Sequence, residues 1–266
     1  MNIEGSTILV TGASSGIGAE LGPQLAARGA TVGLVARRAE RLEAVLGRCR
    51  GHTPGSQMWT ADLGDIDRAQ TVALDAWDEF GGLDCLVNNA AMAKRKHVTD
   101  LTPEEVEEVM QLNFTSPVRM GMAVLPRMIE RDSGTIVNVS SMGGRLGIVH
   151  EAAYCAAKFA LCGWSEVMHI DLEDSGVDVK LVLPGPIDTE IWQQAPGDLA
   201  PLYDGPFVSA SDCAASIVDA IAGDGFEYYA PPEVEGGFGP QKDLVVAKSQ
   251  NVDAFLTVMA QMAKSS

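Results

Sequence analysis

Short apolar runs alternate with longer amphipathic stretches along most of this chain. The first run, Thr7–Val10, leads into a glycine turn and then into a helical pattern over Ile17–Arg28 that Gly29 closes. The same order repeats to about residue 230. The further predicted strands are Thr31–Ala36, Ser56–Ala61, Leu83–Val87, Thr135–Ser140, Val177–Leu183 and Phe226–Ala230, and the further predicted helices are Ala39–Cys49, Ile66–Phe80, Pro103–Met110, Pro117–Arg131 and Ala152–Glu173.

Strands that alternate with helices of about 10 to 15 residues are typical of a parallel sheet covered on both faces. We therefore predict an α/β fold, a Rossmann-type doubly wound parallel sheet of about seven strands, in a single domain over residues 1–266. Ligands of such sheets bind beyond the carboxyl ends of the strands. The pair Gly22-Pro23 lies inside the first helical pattern, and because proline removes a backbone donor we expect a kink or a local break there.

The longest irregular stretch runs from Glu190 to about residue 210 and combines prolines and glycines with apolar side chains. Loops of this length in compact domains are usually functional or disordered. Because the apolar content is high, with Trp192, Tyr203 and Phe207 among the larger residues, we interpret residues 190–210 as a substrate lid. The alternative is a pair of short helices packed permanently on the core.

The composition narrows the range of partners. A formal net charge of -17 disfavours nucleic acid and anionic membranes through repulsion, and no stretch approaches the roughly 20 apolar residues of a membrane helix. The first residues contain no signal-peptide pattern, so we expect a cytoplasmic protein. Five cysteines without a CxxC pair predict free thiols, with neither a disulfide framework nor a metal site.

A glycine turn, TGASSGIG over residues 11–18, follows the first predicted strand and opens the first helix. Gly12 allows a sharp turn, Gly16 allows backbone to approach a pyrophosphate, and Gly18 allows the helix to pack near the sheet. Phosphates would then face the helix N-terminus, where free backbone N–H groups bind anions. In this context the turn predicts a dinucleotide site.

The end of the second strand carries two cations, Arg37 and Arg38, where an NAD-preferring site has a carboxylate. Guanidinium groups bind phosphate in a bidentate manner, so we predict NADP(H) as the cofactor, with Arg37 the better candidate for its 2′-phosphate. The alternative is that both arginines begin a solvated helix face together with Arg41. Further along, Asp62 and Leu63 are predicted to lie near the adenine, and Asn89 and Ala90 near the adenine ribose.

Tyr154 and Lys158 are four residues apart in a predicted helix and therefore share one face. A free phenol has a pKa of about 10, and the nearby ammonium favours the tyrosinate, which makes the pair a candidate for acid–base chemistry. Ser141 closes the fifth strand and is preferred over Ser140, which should point along the strand. Asn113 is a polar residue in a helical stretch, for which the alternative is a helix bend satisfied by water.

Six motifs in this order resemble those of the short-chain dehydrogenase/reductase superfamily in its single-domain form. They are TGASSGIG (11–18), NNA (88–90), LNF (112–114), NVSS (138–141), YCAAK (154–158) and PGPIDT (184–189), and the match runs from Ile8 to about Thr189. The resemblance implies hydride transfer between a nicotinamide and a carbon that bears oxygen. Ala91 departs from the usual glycine after NNA, a change expected to narrow the space near the cofactor.

The resemblance also implies roles for individual residues. Asn113, Ser141, Tyr154 and Lys158 would form a catalytic tetrad, in which Asn113 holds a water in a proton relay to Lys158. Lys158 would also bind the nicotinamide ribose, and backbone at Ile187, with Thr189, would hold the carboxamide. The complete set of predicted cofactor contacts is Gly12, Ser14, Ser15, Gly16, Ile17, Gly18, Arg37, Arg38, Asp62, Leu63, Asn89, Ala90, Tyr154, Lys158, Pro184, Gly185, Ile187 and Thr189.

Apolar residues near the strand ends predict a mostly apolar pocket for a medium-sized ketone or alcohol. They are Met92, Met142, Leu146, Ile191, Trp192, Leu202 and Tyr203. A basic cluster, Lys94-Arg95-Lys96-His97, follows the fourth strand, where it could steer an anionic group of the substrate. The alternative, which we favour, is a solvated loop that balances Glu104, Glu105, Glu107 and Glu108.

These observations favour an NADPH-dependent carbonyl reductase, or the reverse alcohol dehydrogenase, that acts on a small-molecule substrate. Two alternatives keep the fold: a catalytically silent NADP(H)-binding regulator, and an epimerase or dehydratase, whose relatives usually have a larger C-terminal part than the residues after Thr189 provide. We also expect a homotetramer, or at least a homodimer, because Pro117–Arg131 and Ala152–Glu173 carry more apolar surface than one sheet face covers.

Overall fold

The computed structural model describes residues 1–237 and 239–264, with side chains described as far as Gln261. The strands are β1 (Thr7–Thr11), β2 (Thr31–Ala36), β3 (Gln57–Thr60), β4 (Cys85–Asn88), β5 (Gly134–Val139), β6 (Val177–Pro184), β7 (Ile187–Asp188), β8 (Val208–Ser209), β9 (Glu227–Ala230), β10 (Glu233–Val234) and β11 (Gly239–Pro240). The helices are α1 (Gly16–Ala27), α2 (Ala39–Arg50), α3 (Ile66–Phe80), α4 (Pro103–Met110), α5 (Ser116–Glu130), α6 (Ala152–Asp171), α7 (Ala210–Ala222), α8 (Gln241–Gln250) and α9 (Val252–Lys264). A π-helical turn (Gln111–Thr115) joins α4 to α5, and 3-10 turns lie at Met142–Gly144 and Glu190–Trp192.

Seven parallel strands form the central sheet, in the order β3-β2-β1-β4-β5-β6-β9. The predicted doubly wound α/β fold is confirmed, and each of the seven predicted strands begins and ends within two residues of its observed place. The strand order reverses between β1 and β4. Sheets of this kind bind ligands beyond the strand ends at that reversal, and the glycine turn lies there.

The sheet separates two apolar layers, because neighbouring residues of a strand point to opposite faces. Ile8 and Val10 of β1 are fully buried in the layer that contains α1, α2 and α7. Leu9, between them, is fully buried in the layer that contains α3, α5 and α6. Both faces of β1 are therefore covered, which accounts for its uninterrupted apolar run.

Helix α7 is absent from the elements that the sequence pattern predicts. It begins after Ser209, whose hydroxyl accepts from the backbone N–H of Asp212 at 3.0 Å, and it packs on α1. Its buried face consists of Cys213, Ala214, Ile217, Val218, Ala220 and Ile221. This apolar face, together with the serine cap before an acidic first turn, is the signal that could have revealed the helix.

Of the kink or local break predicted at Pro23, the break is wrong, because α1 runs unbroken from Gly16 to Ala27. Proline at position 23 cannot donate to the carbonyl of Ala19, four residues earlier. Arg48 of α2 supplies the missing donor, with its Nη1 at 3.2 Å from that oxygen. Helix α1 therefore keeps its hydrogen bonding with help from its neighbour.

The lid segment, residues 190–210, contains one 3-10 turn and strand β8 before α7 begins, so the packed helix pair considered as an alternative is not formed in this described part of the chain. The ends of the segment are joined, since Ile187 of β7 pairs with Val208 of β8. None of the helices in residues 1–237 and 239–264 is both long and apolar enough to cross a membrane.

Candidate active site

The four side chains predicted to be catalytic lie around the first turns of α6. Tyr154 and Lys158 belong to α6, Ser141 follows β5, and Asn113 lies in the π-helical turn, which packs against α6. The exposed fraction is 8% for Tyr154, 2% for Lys158 and 0% for Asn113. Buried polar groups need hydrogen-bond partners, and these partners define the geometry of the site.

The structure separates the two serines at the end of β5. The Ser141 hydroxyl hydrogen-bonds to the Tyr154 phenol and accepts from the backbone N–H of Gly143 at 3.0 Å. Gly143 packs directly on the tyrosine, since a Cβ there would lie 3.1 Å from Tyr154 Cε1. The Ser140 hydroxyl instead donates to the Lys158 carbonyl at 3.0 Å within the core. It is therefore Ser141 that faces the phenol.

Burial governs the ionisation of Tyr154 and Lys158. It raises the pKa of the Tyr154 phenol, against the opposing effect of the hydrogen bond with Ser141. It lowers the pKa of Lys158 to about 8. The ammonium donates to the Val139 carbonyl at 2.9 Å and lies 5.8 Å from the centroid of the tyrosine ring. The sequence argument expects the lysine to favour the tyrosinate, but burial has the largest effect on the phenol and raises its pKa, so the phenol is protonated at neutral pH.

The π-helical turn sets the position of Asn113. Turns of this kind are rare and frequent at functional sites. The Asn113 side chain accepts from the backbone N–H of Met92 at 2.9 Å and donates to the carbonyl of Met92 at 2.8 Å. The amide thus fixes the loop after β4. The helix bend satisfied by water, considered from the sequence, is in fact a π-helical turn whose asparagine binds protein backbone.

Close backbone contacts hold the glycine turn together. Gly12 has a φ of +68°, and a Cβ there would lie 2.8 Å from Ala90 Cα. A Cβ at Gly18 would lie 2.5 Å from the Gly12 carbonyl oxygen, so α1 packs onto the turn itself. The Asn89 amide donates to the Thr11 carbonyl at 2.9 Å. Asn89 and Ala90 therefore tie the end of β4 to the turn.

A cavity of about 600 Å³ lies beside the glycine turn. Ser14, Ser15 and Gly16 line one side of it, and Thr189 and Glu190 line the other. Gly16 has a φ of +50° and its Cα faces the Thr189 side chain. Among the described residues, no side chain caps the first turn of α1 and no carboxylate lies in that turn. A dinucleotide pyrophosphate fits this place, because the free N–H groups at a helix start bind anions.

Two arginines reach this cavity. Arg38 donates to the Ser15 hydroxyl at 2.6 Å and to the Glu190 carboxylate at 2.6 Å, and Arg41 pairs with the same carboxylate. Arg37 is directed away from Ser15, toward the end of β3. The sequence argument favours Arg37 for the phosphate and places Arg41 on a solvated face. The structure brings Arg38 and Arg41 together at the start of α2, beside the cavity, and brings Arg37 to Asp62, the residue predicted to lie near the adenine. The choice of arginine for the 2′-phosphate therefore stays a prediction.

The remaining predicted cofactor residues differ in burial. Leu63 and Ile187 have exposed fractions of 4% and 3%, and Pro184 is buried at the end of β6. Because the side chains of these three residues are apolar and buried, only their backbone atoms could bind a cofactor. The others are Asp62, which is exposed and 3.8 Å from Arg37, Gly185, which packs against Gln241, and Ile17, which is half-buried in α1.

The basic cluster after β4 is neutralised within the protein. Its ion pairs are Lys94 with Glu105 and Asp198, Arg95 with Glu151, and Lys96 with Glu105. Three cations thus face three carboxylates. The charge balance agrees with the loop favoured from the sequence as far as Glu105 is concerned, but the expected solvation is wrong for Arg95, which is 4% exposed because it pairs with the buried Glu151. Little charge is left with which to steer an anionic substrate.

Three aromatic rings organise the lid segment. The ring centroids of Trp192, Tyr203 and Phe207 lie 5.0 to 5.6 Å apart. The other predicted pocket residues are Ile191 and Leu202, which are half-buried, Met142 and Leu146, which are buried, and Met92, which packs against a cluster of α4 and α6 residues. The structure therefore brings Trp192 and Tyr203 into one cluster and Met92 into another.

Sequence reasoning does not identify three carboxylates that belong to this region: Glu151, Glu190 and Asp198. Each pairs with a cation that is far away in the chain, for example 56 positions for Glu151 with Arg95 and 152 positions for Glu190 with Arg38. No local pattern encodes such pairs. The one available signal is that Glu190 directly follows a predicted cofactor residue.

Comparison with known proteins identifies the family. The model of the family described as short chain dehydrogenase matches residues 6–199. Mouse dehydrogenase/reductase SDR family member 7 is 37% identical over 193 residues, which are 71% of this chain and 57% of the mouse protein. D-threitol dehydrogenase of Mycolicibacterium smegmatis is 32% identical over 204 residues, which are 77% of this chain and 76% of that protein. The chain belongs to the short-chain dehydrogenase family, and is thus a member of an oxidoreductase family.

Solved structures share the fold over almost the whole chain. A short-chain dehydrogenase from Sphingobium yanoikuyae, in complex with NADPH, has a TM-score of 0.79 and 29% identity and covers 94% of this chain and 95% of its own. Other structures with the same fold hold NADP or NAD.

Proposed function

We propose that this protein is an NADPH-dependent oxidoreductase that interconverts a ketone and a secondary alcohol. The observation that carries the proposal is the buried Tyr154 phenol, protonated at neutral pH, hydrogen-bonded to Ser141 and one helical turn before Lys158. A bound nicotinamide would supply or accept the hydride. In the direction of reduction, Tyr154 donates its proton to the carbonyl oxygen as a general acid.

The neighbours of Tyr154 have separate tasks in this proposal. The Ser141 oxygen accepts from Gly143, so its own proton is left to donate to the substrate oxygen. Lys158 is charged below about pH 8, and it would bind the nicotinamide ribose. Asn113 holds the Met92 loop at the edge of the site.

The preference for NADPH is supported by Arg38 and Arg41. Both reach the cavity beside the glycine turn, where a 2′-phosphate would take the place of the Glu190 carboxylate. Arginine forms strong paired bonds to phosphate. The NADPH complex of the Sphingobium relative points in the same direction.

The substrate is proposed to be uncharged and mostly apolar. The basic cluster after β4 is already paired with carboxylates, so it offers no spare cation for an anionic group within the described residues. The aromatic cluster of the lid segment supplies apolar surface near the site.

The experiment that tests this function is NADPH oxidation with a panel of ketones, keto-esters, steroids and acyl thioesters. Tyr154→Phe should reduce kcat by about 10² to 10⁴ or more while the Kd for NADPH changes less than about twofold, because only the proton donor is lost. Tyr229→Phe, which removes a hydroxyl bonded to Glu227 instead, is the matched control. Activity of Tyr154→Phe within about tenfold of wild type would contradict the proposal.

The proposal includes a cytoplasmic location and a homotetramer or homodimer. The five cysteines are free thiols and all are buried, as is usual in a reducing compartment. Association is supported by exposed apolar side chains on α5 and α6, among them Met122, Val167 and Ile170.

A further inference from the structure

Arg95, in the loop after β4, is a buried arginine with an exposed fraction of 4%. Its Nε donates to Glu151 Oε1 at 2.6 Å, and its Nη1 donates to the Ile191 carbonyl at 2.8 Å. The guanidinium carbon lies 5.4 Å from the centroid of the Trp192 ring. Burying a charge is costly unless the group is paired and hydrogen-bonded, so these contacts fix the arginine in one place.

The backbone of Arg95 binds a second part of the lid segment. Its N–H donates to Asp198 Oδ2 at 3.2 Å, and its carbonyl accepts from the Leu199 N–H at 2.7 Å. Asp198 is itself 7% exposed, and its other oxygen lies 3.3 Å from Lys94 Nζ, at ion-pair distance rather than in hydrogen-bond geometry. One residue thus holds the lid segment at residues 191–192 and again at residues 198–199.

Glu151, the partner of the Arg95 guanidinium, directly precedes α6 and lies three positions before Tyr154. It is 5% exposed, and its carboxylate binds Arg95 rather than the first-turn N–H groups of the helix. Its carbonyl accepts from the Cys155 N–H at 2.8 Å, within the turn that carries the tyrosine. The contacts of Arg95 therefore run from the lid segment to the start of the catalytic helix.

We propose that Arg95 is a positioning residue that ties the lid segment to the start of α6, so that one buried ion pair sets both lid closure over the substrate and the placement of Tyr154. The inference rests on the proposed function of Tyr154. A substrate that binds beneath the lid segment would then displace or tighten contacts of Arg95, the same residue that orients Tyr154.

The charges that face the phenol give this proposal a specific signature. Burial raises the pKa of Tyr154 most, Glu151 just before α6 and Cys155 within it raise it further, and the Ser141 hydrogen bond and Arg95, from the loop after β4, lower it. Lys158 lies one turn further along, 5.8 Å from the ring. Loss of Arg95 alone and loss of Glu151 alone should therefore move the pKa of the phenol in opposite directions. That pair of shifts would show that both charges act on the phenol, and the hydrogen exchange of the lid segment tests whether Arg95 also holds that segment.

The test uses Arg95→Met, Glu151→Gln and the double variant. Because Arg95→Met alone leaves Glu151 buried without its partner, the double variant removes both charges and keeps the test interpretable if the single variant folds poorly. Arg131→Met is the matched control. Its contacts are of the same three kinds, a carboxylate (Asp84, 3.3 Å), a carbonyl (Leu83, 2.6 Å) and a tryptophan ring (Trp77, 5.2 Å), but they lie at the amino ends of the strands.

Hydrogen exchange, measured by mass spectrometry on peptides from residues 190–210, reports how often the lid segment opens. Exchange should speed up by about tenfold or more in Arg95→Met and in the double variant, and stay unchanged in Arg131→Met, because local opening follows the contacts that hold a segment. With a ketone substrate, KM should rise by about tenfold because the lid segment is held less firmly, and kcat should fall by about tenfold or more because Tyr154 is less well placed. The apparent pKa of kcat/KM should rise in Arg95→Met and fall in Glu151→Gln.

Two outcomes would overturn the inference: unchanged exchange in both Arg95 variants, or the same increase in Arg131→Met. Hydrogen exchange needs no turnover, so it decides the role of Arg95 separately from the oxidoreductase assignment. If no ketone is reduced by the wild-type protein, the proposed function fails, and exchange of peptides from residues 190–210 and from the start of α6, around residues 150–160, still measures whether Arg95 ties the two segments together.

Discussion

Among single residues, Arg38 should have the largest influence on the choice of cofactor. It contacts the serines of the glycine turn, whereas Arg37 is directed toward Asp62. A hydrogen bond to a charged group contributes about 1.5 to 3 kcal/mol, so Arg38→Ala should reduce the preference for NADPH over NADH by about one to two powers of ten. Fluorescence titration of the two cofactors measures this, with Arg37→Ala as the matched control. Equal losses in the two variants would contradict the assignment.

Glu190 is a carboxylate at the place where a 2′-phosphate would meet Arg38 and Arg41. Its hydrogen bonds with Arg38 and then with Arg41 lower the pKa of Glu190, so it stays charged at neutral pH and would compete with the 2′-phosphate of the proposed cofactor. Glu190→Gln should tighten binding of 2′,5′-ADP by about three- to tenfold and leave binding of 5′-AMP unchanged. Titration calorimetry measures both. Glu40→Gln, at an exposed position of α2, makes the same change in net charge, and an equal gain there would exclude direct competition.

Lys158 should make the free energy of unfolding depend on pH. Burial lowers its pKa from 10.5 to about 8, so between those values unfolding takes up a proton and the free energy of unfolding rises with pH. Relative to Lys158→Met, the wild-type free energy of unfolding should increase by about 3 kcal/mol from pH 7.5 to pH 10.5, at about 1.36 kcal/mol per unit of pKa shift. Urea denaturation of the cofactor-free proteins at both pH values measures this. A difference that does not vary with pH would show that the lysine is not desolvated.

Local spacing explains which residues of the site could be predicted. Ser141, Tyr154 and Lys158 lie within 18 positions of chain around one strand end, so a parallel sheet brings them together once that strand is recognised. The choice between Arg37 and Arg38 could not be made in this way, because it depends on side-chain directions at the start of α2. The pairs made by Arg95 join segments 56 to 103 positions apart, and no sequence period encodes them.

Among the elements, α1 depends on α2 to continue through Pro23. Arg48→Met should lower the free energy of unfolding by about 1 kcal/mol, because it leaves the Ala19 carbonyl without its donor. In a Pro23→Ala background the loss should be smaller by about 0.5 kcal/mol or more, since residue 23 can then donate to that carbonyl. Urea denaturation of the four proteins gives this coupling. Arg68→Met, which removes an ion pair with Asp75 on α3, should show no coupling to position 23.

The strands were easier to predict than some of the helices, for a physical reason. A strand buried on both faces must be apolar throughout, and that pattern stands out between polar turns. Helix α7 carries both an apolar face and a serine cap, so the sequence does encode it locally. The π-helical turn at Gln111–Thr115 lies inside a continuous helical stretch, and no residue pattern distinguishes it from α-helix. The contacts of its Asn113 with the Met92 backbone join positions 21 apart, which no helical period encodes.

For the whole molecule, the expected association can now be confined to fewer residues. Of the apolar residues on α5 and α6, Met120, Val124, Met128 and Leu161 are buried within the subunit, whereas Met122, Ile129, Phe159, Val167 and Ile170 remain exposed. Ile170→Glu should shift the protein toward a 28.1 kDa monomer in sedimentation, because it places a charge in an apolar contact. Val258→Glu, at an equally exposed site on α9, is the control. A wild-type monomer at micromolar concentration would contradict the proposed assembly.

The family model ends at residue 199, inside the lid segment. The contacts of Arg95 with the lid segment reach residues 191, 192, 198 and 199, all within the matched part, whereas Tyr203 and Phe207 lie beyond it. The pairing of β7 with β8 closes the loop again immediately after Phe207. Residues 200–207 thus form a cassette with both ends anchored. Under the proposed function, exchanging residues 200–207 for the corresponding loop of a relative should alter substrate selectivity, while the glycine turn and Tyr154 keep their places.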